Sequence, residues 1–246
     1  LTLTKSAICD AHGSFESRNH IGRIWSKCPV CVNEQSAKEA ALAEAAEIAS
    51  RDHAWRTALG HSQIPERFLT RTLASYITNN EGQRHARDFA IRYADTFPKT
   101  NGRSRSAIFV GKPGTGKTHL AAGIAMHIMR QGHTALFTTT LRAIRRVKET
   151  WNRGSTETES KAVAALTYPS LLILDEIGVQ FGTNTEKTIL FDVLNERYEN
   201  DKPCILISNL TVDGVRKFVG DRVFDRLREG GGEAVVFDWE SHRSTS

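Results

Sequence analysis

The chain has 246 residues, 39% hydrophobic and 25% charged, enough to bury one medium domain beside a small module. Its net charge of +5 permits a polyanionic partner without demanding one. No apolar run approaches the ~20 residues of a membrane span, and residues 1–8 lack a cationic segment followed by an apolar core, so the expectation is a cytoplasmic chain with no membrane partner.

Residues 1–34 lack helix periodicity and hold Cys9-x2-His12 and Cys28-x2-Cys31. Two close pairs of soft or borderline ligands separated by fifteen residues have the spacing of a tetrahedral zinc site, so Cys9, His12, Cys28 and Cys31 are expected to bind Zn²⁺. Cys204 sits in an apolar run and reads as a small buried residue. Residues 36–59 read as one Ala-rich helix of roughly 36 Å at ~1.5 Å per residue, with Ala41, Ala45, Ile48, Trp55 and Leu59 on one stripe. Gly60 is a plausible stop, which puts a boundary there: a zinc module with an amphipathic, partner-binding helix over 1–60, then a second domain over 61–246.

Beyond the boundary the pattern changes. A helix over 83–97 and a polar linker over 99–105 lead into a strand over 106–110, a helix over 117–130, a strand over 134–139 and a helix over 141–152. After a Gly/Ser/Thr break at 154–158 come a short helix ending near 166, a strand over 171–174, a helix over 186–200 and a strand over 203–208. Such alternation predicts an α/β fold, a parallel sheet with flanking helices.

Gly111-Lys112-Pro113-Gly114-Thr115-Gly116-Lys117-Thr118 matches the P-loop pattern in full, between an apolar strand and a helix. Its glycines let backbone N–H groups turn toward phosphate oxygens, and the helix N-terminus adds partial positive charge. Lys117 is expected to reach the β- and γ-phosphates of ATP and Thr118 to ligate Mg²⁺. The apolar strand 171–174 ends in Asp175 and Glu176: Asp175 is expected to hold Mg²⁺ through its water shell, and Glu176 to act as general base on the attacking water. Asn209, at the polar tip of 203–208, either orients that water or closes a turn. Arg222 and Arg226 share a helical face at i, i+4, either as ion pairs with Asp221 and Asp225 or as an arginine finger for a neighbouring subunit.

With these residues in view, the chain resembles a DnaC-type replicative helicase loader, in the IstB-like branch of the AAA+ ATPases. The resemblance is carried by GKPGTGKTHLAAGIA (111–125), LLILDEIGVQ (171–180), ISN (207–209), GDRVFDRL (220–227) and VFDWESHRS (236–244), with Ile64-Pro65-Glu66-Arg67-Phe68 entering the core; together they span roughly residues 64–246. It implies an AAA+ P-loop core that hydrolyses ATP as a DNA-stimulated switch. It implies Arg226 as arginine finger, Arg243 as second sensor within the same subunit, and Asn209 as first sensor. The implied partners are a replicative DNA helicase, single-stranded DNA, and further copies of the chain when it is bound to helicase. The insertion over 141–166 would then face DNA, with Trp151 where the family has a DNA-touching aromatic.

The residues of that insertion allow two readings. Arg142, Arg145, Arg146, Lys148 and Arg153 make it the most basic stretch, and Trp151 could stack on a base. Yet Leu141, Ile144, Val147 and Trp151 also make an ordinary buried stripe beside a solvated arginine face. The zinc module departs from loaders whose N-terminal domain is purely helical and leaves the helicase contact open. The competing functions are an IstB-like transposition helper ATPase, which shares the core, and a zinc-dependent adaptor that binds ATP only structurally.

Overall fold

The structure, a computed structural model, describes residues 3–19, 22, 24–97, 105–179 and 183–242. Contacts divide the chain into two compact units, Leu1–Ala54 and Trp55–Ser246. The division falls inside a helix, somewhat before residue 60, because Trp55, Ala58 and Leu59 already pack on the core of the second unit.

The first unit opens with a hairpin of β1 (Leu3–Cys9) and β2 (Gly13–Asn19), in register from Leu3↔Asn19 to Cys9↔Gly13. Gly13, at φ 76°, supplies the left-handed residue that ends the turn. Helix α1 (Pro29–His61) starts earlier than its periodicity suggests, at a proline whose missing N–H costs nothing in the first turn. None of its residues is buried. The stripe expected through Ala41, Ala45 and Ile48 is therefore not a covered face: Ile48 is 53% exposed, and the helix is sustained there by the propensity of its alanines and charged residues.

The second unit is a five-stranded parallel sheet in the order β4-β5-β6-β3-β7, built from β3 (Ala107–Gly111), β4 (Ala135–Thr139), β5 (Leu171–Ile177), β6 (Cys204–Ser208) and β7 (Glu233–Phe237). Alternate residues of each strand face opposite sides. Phe109, Ile173 and Ile207 pack with α2 (Glu81–Thr96) and α3 (Lys117–Arg130). Ile108, Leu172 and Leu206 pack with α4 (Thr140–Glu149), α5 (Glu159–Thr167), α6 (Asn184–Glu199), α7 (Val212–Val219) and α8 (Asp221–Arg228). Burial on both faces explains why the central strands are continuous apolar runs. Arg197 on α6 is fully buried; its guanidinium donates to the carbonyls of Leu166, Thr167, Pro169, Ser170 and Pro203 and so ties the ends of α5 and α6 to the chain entering β5 and β6. Among the described residues no helix is long and apolar enough to cross a membrane.

Candidate nucleotide and metal sites

The loop between β3 and α3 sits at the carboxyl end of the sheet, where open α/β folds bind their ligands. Two of its glycines are dictated by close approach as well as by positive φ. A side chain at Gly111 (φ 133°) would strike the carbonyl of Phe237, and one at Gly116 (φ 94°) would enter the ring of Tyr76. Lys117 is nearly buried, and its ammonium donates to the carbonyls of Gly111 and Lys112 at 2.7 Å each, so the cation is held inside the loop.

Across from it, Thr118 Oγ1 donates to Asp175 Oδ2 at 3.1 Å, and the N–H of Glu176 donates to Asp175 Oδ1 at 2.7 Å. Burial pushes the Asp175 carboxyl above its ordinary range; these two hydrogen bonds and the charges of Lys117 and Arg67 pull the other way. Glu176 adopts φ 62°, a left-handed conformation uncommon for a residue with a side chain, at the position expected to activate water. Ser208 Oγ donates to the Ile177 carbonyl at 2.6 Å and accepts from the N–H of Leu210 at 3.0 Å, which fixes the turn carrying Asn209. Lys117, Thr118, Asp175, Glu176 and Asn209 all line one cavity of about 670 Å³, within the ~300–1,000 Å³ typical of small-molecule sites. The donor set suits a Mg²⁺-bound triphosphate: a buried cation, inward-turning glycine backbone, and a hydroxyl and carboxylate already in contact.

Arg226 is elsewhere. It lines a separate groove on α8 with Arg222, its Cζ lies 4.7 Å over the ring of Tyr198, and its Nη1 is buried with no hydrogen-bond partner. Tyr198 in turn donates to Glu229 at 2.5 Å. Among the described residues the ion pair to Asp221 comes from Arg216, not from Arg222 or Arg226. Arg243 lies outside the described residues.

In the insertion the two readings separate by residue. Ile144 and Val147 are buried, whereas Leu141, in the first turn of α4, and Trp151, past the end of α4 at Glu149, are 40% and 50% exposed. The indole N–H of Trp151 donates to Glu159 at 2.7 Å. Arg142 and Arg145 are exposed, while Arg146 is paired with Glu157 at 2.7 Å and Lys148 with Glu186 at 3.1 Å.

In the first unit the ligand atoms of Cys9, His12, Cys28 and Cys31 lie within 4.8 Å of one another. Cys9 closes β1, His12 is in the hairpin turn, and Cys28 and Cys31 open α1. The separations Cys9–Cys31 3.4 Å, His12 Nδ1–Cys31 3.2 Å and Cys28–His12 Nδ1 3.9 Å are close to the roughly 3.5–3.8 Å edges of a zinc tetrahedron. The other ring nitrogen of His12 meets Glu34 at 3.2 Å, the outer-shell carboxylate that metal-binding histidines commonly use.

Sequence reasoning gives Tyr76, Trp239 and His242 no role, although the last two lie in the 236–244 stretch that carries the resemblance. Tyr76 Oη and Trp239 Nε1 both donate to the Thr115 carbonyl, and the N–H of His242 donates to that of Gly114. No periodicity or local motif links them to the P-loop; only the fold brings them there. For Glu34 a signal existed, a carboxylate one turn beyond a candidate ligand.

A family profile described as "IstB-like ATP binding protein" matches residues 46–228. A protein named "Replicative helicase loader DnaC" from Buchnera aphidicola subsp. Acyrthosiphon pisum is 34% identical over 185 residues, 75% of this chain and 74% of that protein. Its namesake from Escherichia coli K12 is 36% identical over 170 residues, 69% of this chain and 68% of that protein. Among solved structures, one described as "Crystal structure of the DnaC helicase loader" aligns with a TM-score of 0.62 at 24% identity, covering 70% of this chain and 99% of that one. AMPPCP-bound DnaA from Aquifex aeolicus aligns at 0.59 and 21%, covering 72% and 52%. At such identities these two likenesses concern the fold.

Proposed function

The chain belongs to the IstB-like ATP-binding protein family, and on that premise we propose that it is an ATP-driven loader that delivers a replicative ring helicase onto single-stranded DNA. The observation that carries this reading is the 34–36% identity to replicative helicase loaders over about two-thirds or more of both partners' lengths. The gathering of Lys117, Thr118, Asp175, Glu176 and Asn209 in one cavity supports an ATPase rather than an adaptor that keeps ATP as a structural ligand.

In the proposed cycle, Lys117 exchanges its contacts with the Gly111 and Lys112 carbonyls for phosphate oxygens. Thr118 and Asp175, already in contact, would hold Mg²⁺, which would supply charge to offset that gathering on the phosphates. Glu176 takes the proton of the attacking water, and Asn209 orients that water from the same cavity. Arg226 lines a groove other than its own nucleotide cavity, which favours action on a neighbouring copy's γ-phosphate. Arg243 would complete the site in cis. Hydrolysis, stimulated by DNA, would release the loader. Exposed Arg142, Arg145 and Trp151, together with Arg146, are the proposed DNA contacts; Trp151 is free to stack on a base once it leaves Glu159. The first unit would bind one Zn²⁺ through Cys9, His12, Cys28 and Cys31 and, with α1, form the helicase grip.

The deciding experiment is reconstitution with a purified replicative helicase and circular single-stranded DNA. ATP-dependent transfer of helicase onto the circle is expected. Absence of any helicase complex, together with capture of a transposase, would replace this reading by the transposition one.

A further inference from the structure

The back of the P-loop is gripped by two segments far from it in sequence. Thr115 is fully buried, and its carbonyl accepts from Tyr76 Oη at 2.9 Å and from Trp239 Nε1 at 3.0 Å, filling both lone pairs. Tyr76 lies in the segment that leads into the domain, Trp239 just beyond the last strand. Next to them, His242 donates its N–H to the Gly114 carbonyl at 3.1 Å, and Phe237 accepts from the N–H of Lys112 at 3.2 Å. Residues 237–242 therefore run beside the loop, and His242 reaches the nucleotide cavity. The same tail reaches the start of α2: the Trp239 ring lies where a side chain on Gly82 would sit, and the His242 ring meets the Gln83 side chain at 3.4 Å.

The carbonyl held by Tyr76 and Trp239 shares a peptide plane with the N–H of Gly116. A trans peptide points its C=O and N–H in opposite directions. Holding the carbonyl outward therefore aims the Gly116 N–H inward, where a phosphate oxygen would sit. Gly116, at φ 94°, has the freedom to let that peptide flip, which would turn the carbonyl's negative end toward the anion.

We propose that Tyr76 and Trp239 form a two-donor clasp on the Thr115 carbonyl and are positioning residues for ATP, coupling P-loop geometry to the C-terminal tail. This rests on the nucleotide site proposed above. Coupling of this kind is reciprocal: what stabilises the loop for ATP is itself stabilised by ATP.

Tyr76→Phe removes one hydroxyl, and Trp239→Phe removes the indole N–H while keeping an aromatic ring. Each is expected to weaken Mg·ATP binding about 5-fold, the worth of one ordinary hydrogen bond. KM for ATP should rise similarly, with a smaller change in kcat. The four tryptophans give a direct reporter: the indole N–H resonance missing from the Trp239→Phe spectrum should shift when Mg·ATP is added to the full wild-type chain. That measurement decides the matter if Tyr76→Phe folds poorly, and assigning the other three indoles with Trp25→Phe, Trp55→Phe and Trp151→Phe identifies the signal if Trp239→Phe does. A wild-type chain that binds Mg·ATP, with both variants binding equally well and an unmoved Trp239 resonance, would overturn the clasp and leave the nucleotide site standing. A wild-type chain that binds no Mg·ATP would overturn both.

Discussion

Replacing Arg197 by Met tests whether the two strands whose ends carry Asp175, Glu176 and Asn209 are pinned from inside the fold. The guanidinium is fully buried and donates to five backbone carbonyls, with Cys204 Sγ 3.3 Å from its Nε. A methionine fills much of the volume but donates nothing. Of the five carbonyls, those of Pro169 and Ser170 are held by contacts near the surface, where water can replace the arginine. Those of Leu166, Thr167 and Pro203 are met in the interior; Pro203 keeps the N–H of Leu172 at 3.4 Å, so those of Leu166 and Thr167 would be left without a donor. At about 1–3 kcal/mol for each buried unsatisfied group, the loss is roughly 2–6 kcal/mol. Relief from burying a charge offsets part of it, so about 2–3 kcal/mol is the expected net. Arg197→Lys, with three donors on one nitrogen instead of a planar fork, should recover less than half. Urea unfolding followed by circular dichroism measures both. A loss under about 1 kcal/mol for Met would refute the reasoning, because the carbonyls would then have found other partners at little cost.

Lys117→Ala should abolish Mg·ATP binding in calorimetry, whereas Glu176→Gln should bind it and lose turnover; equal behaviour of both variants and the wild type would remove the catalytic assignment. Arg226→Ala should leave ATP affinity nearly intact and lower hydrolysis by up to roughly 10³-fold, with partial rescue on mixing with Glu176→Gln; no rescue at any ratio counts against a shared site. Because burial raises the Asp175 carboxyl, the folded chain holds that proton to higher pH than the unfolded chain does, and ionising it costs stability as pH rises through its folded value. Asp175→Asn should therefore raise the melting temperature of the nucleotide-free chain near neutral pH while weakening Mg²⁺-dependent ATP binding; a lowered midpoint would contradict the sign. Metal analysis should find one zinc per chain, and Cys28→Ser should lose it; a full complement of metal in the variant would exclude Cys28 as a ligand.

The sequence by itself determined what is written in contiguous residues. The P-loop, the Asp175-Glu176 strand end and the parallel sheet were legible because each couples a local pattern to one backbone geometry: glycines to positive φ, apolar runs to strands buried on both faces. The clustering of Cys9, His12, Cys28 and Cys31 was legible because their spacing is chemical rather than structural. The β1–β2 hairpin was not, since its polar strands show no usable alternation, and most of their residues are exposed. Nor was the fate of the α1 stripe, because periodicity marks a face without saying whether anything covers it. In the insertion, apolar spacing treated Leu141 and Trp151 like Ile144 and Val147; the end of α4 at Glu149 set Trp151 apart, and Leu141 is left exposed in the helix's first turn. The tertiary structure alone decided the partners of Thr115, one 39 residues before it and the other 124 after it, and the burial of Arg197. A hydrogen bond across such distances leaves no periodic trace: it depends on where sheet order and helix packing bring two ends of the chain, and β7 beside β3 carries Trp239 to the back of the loop.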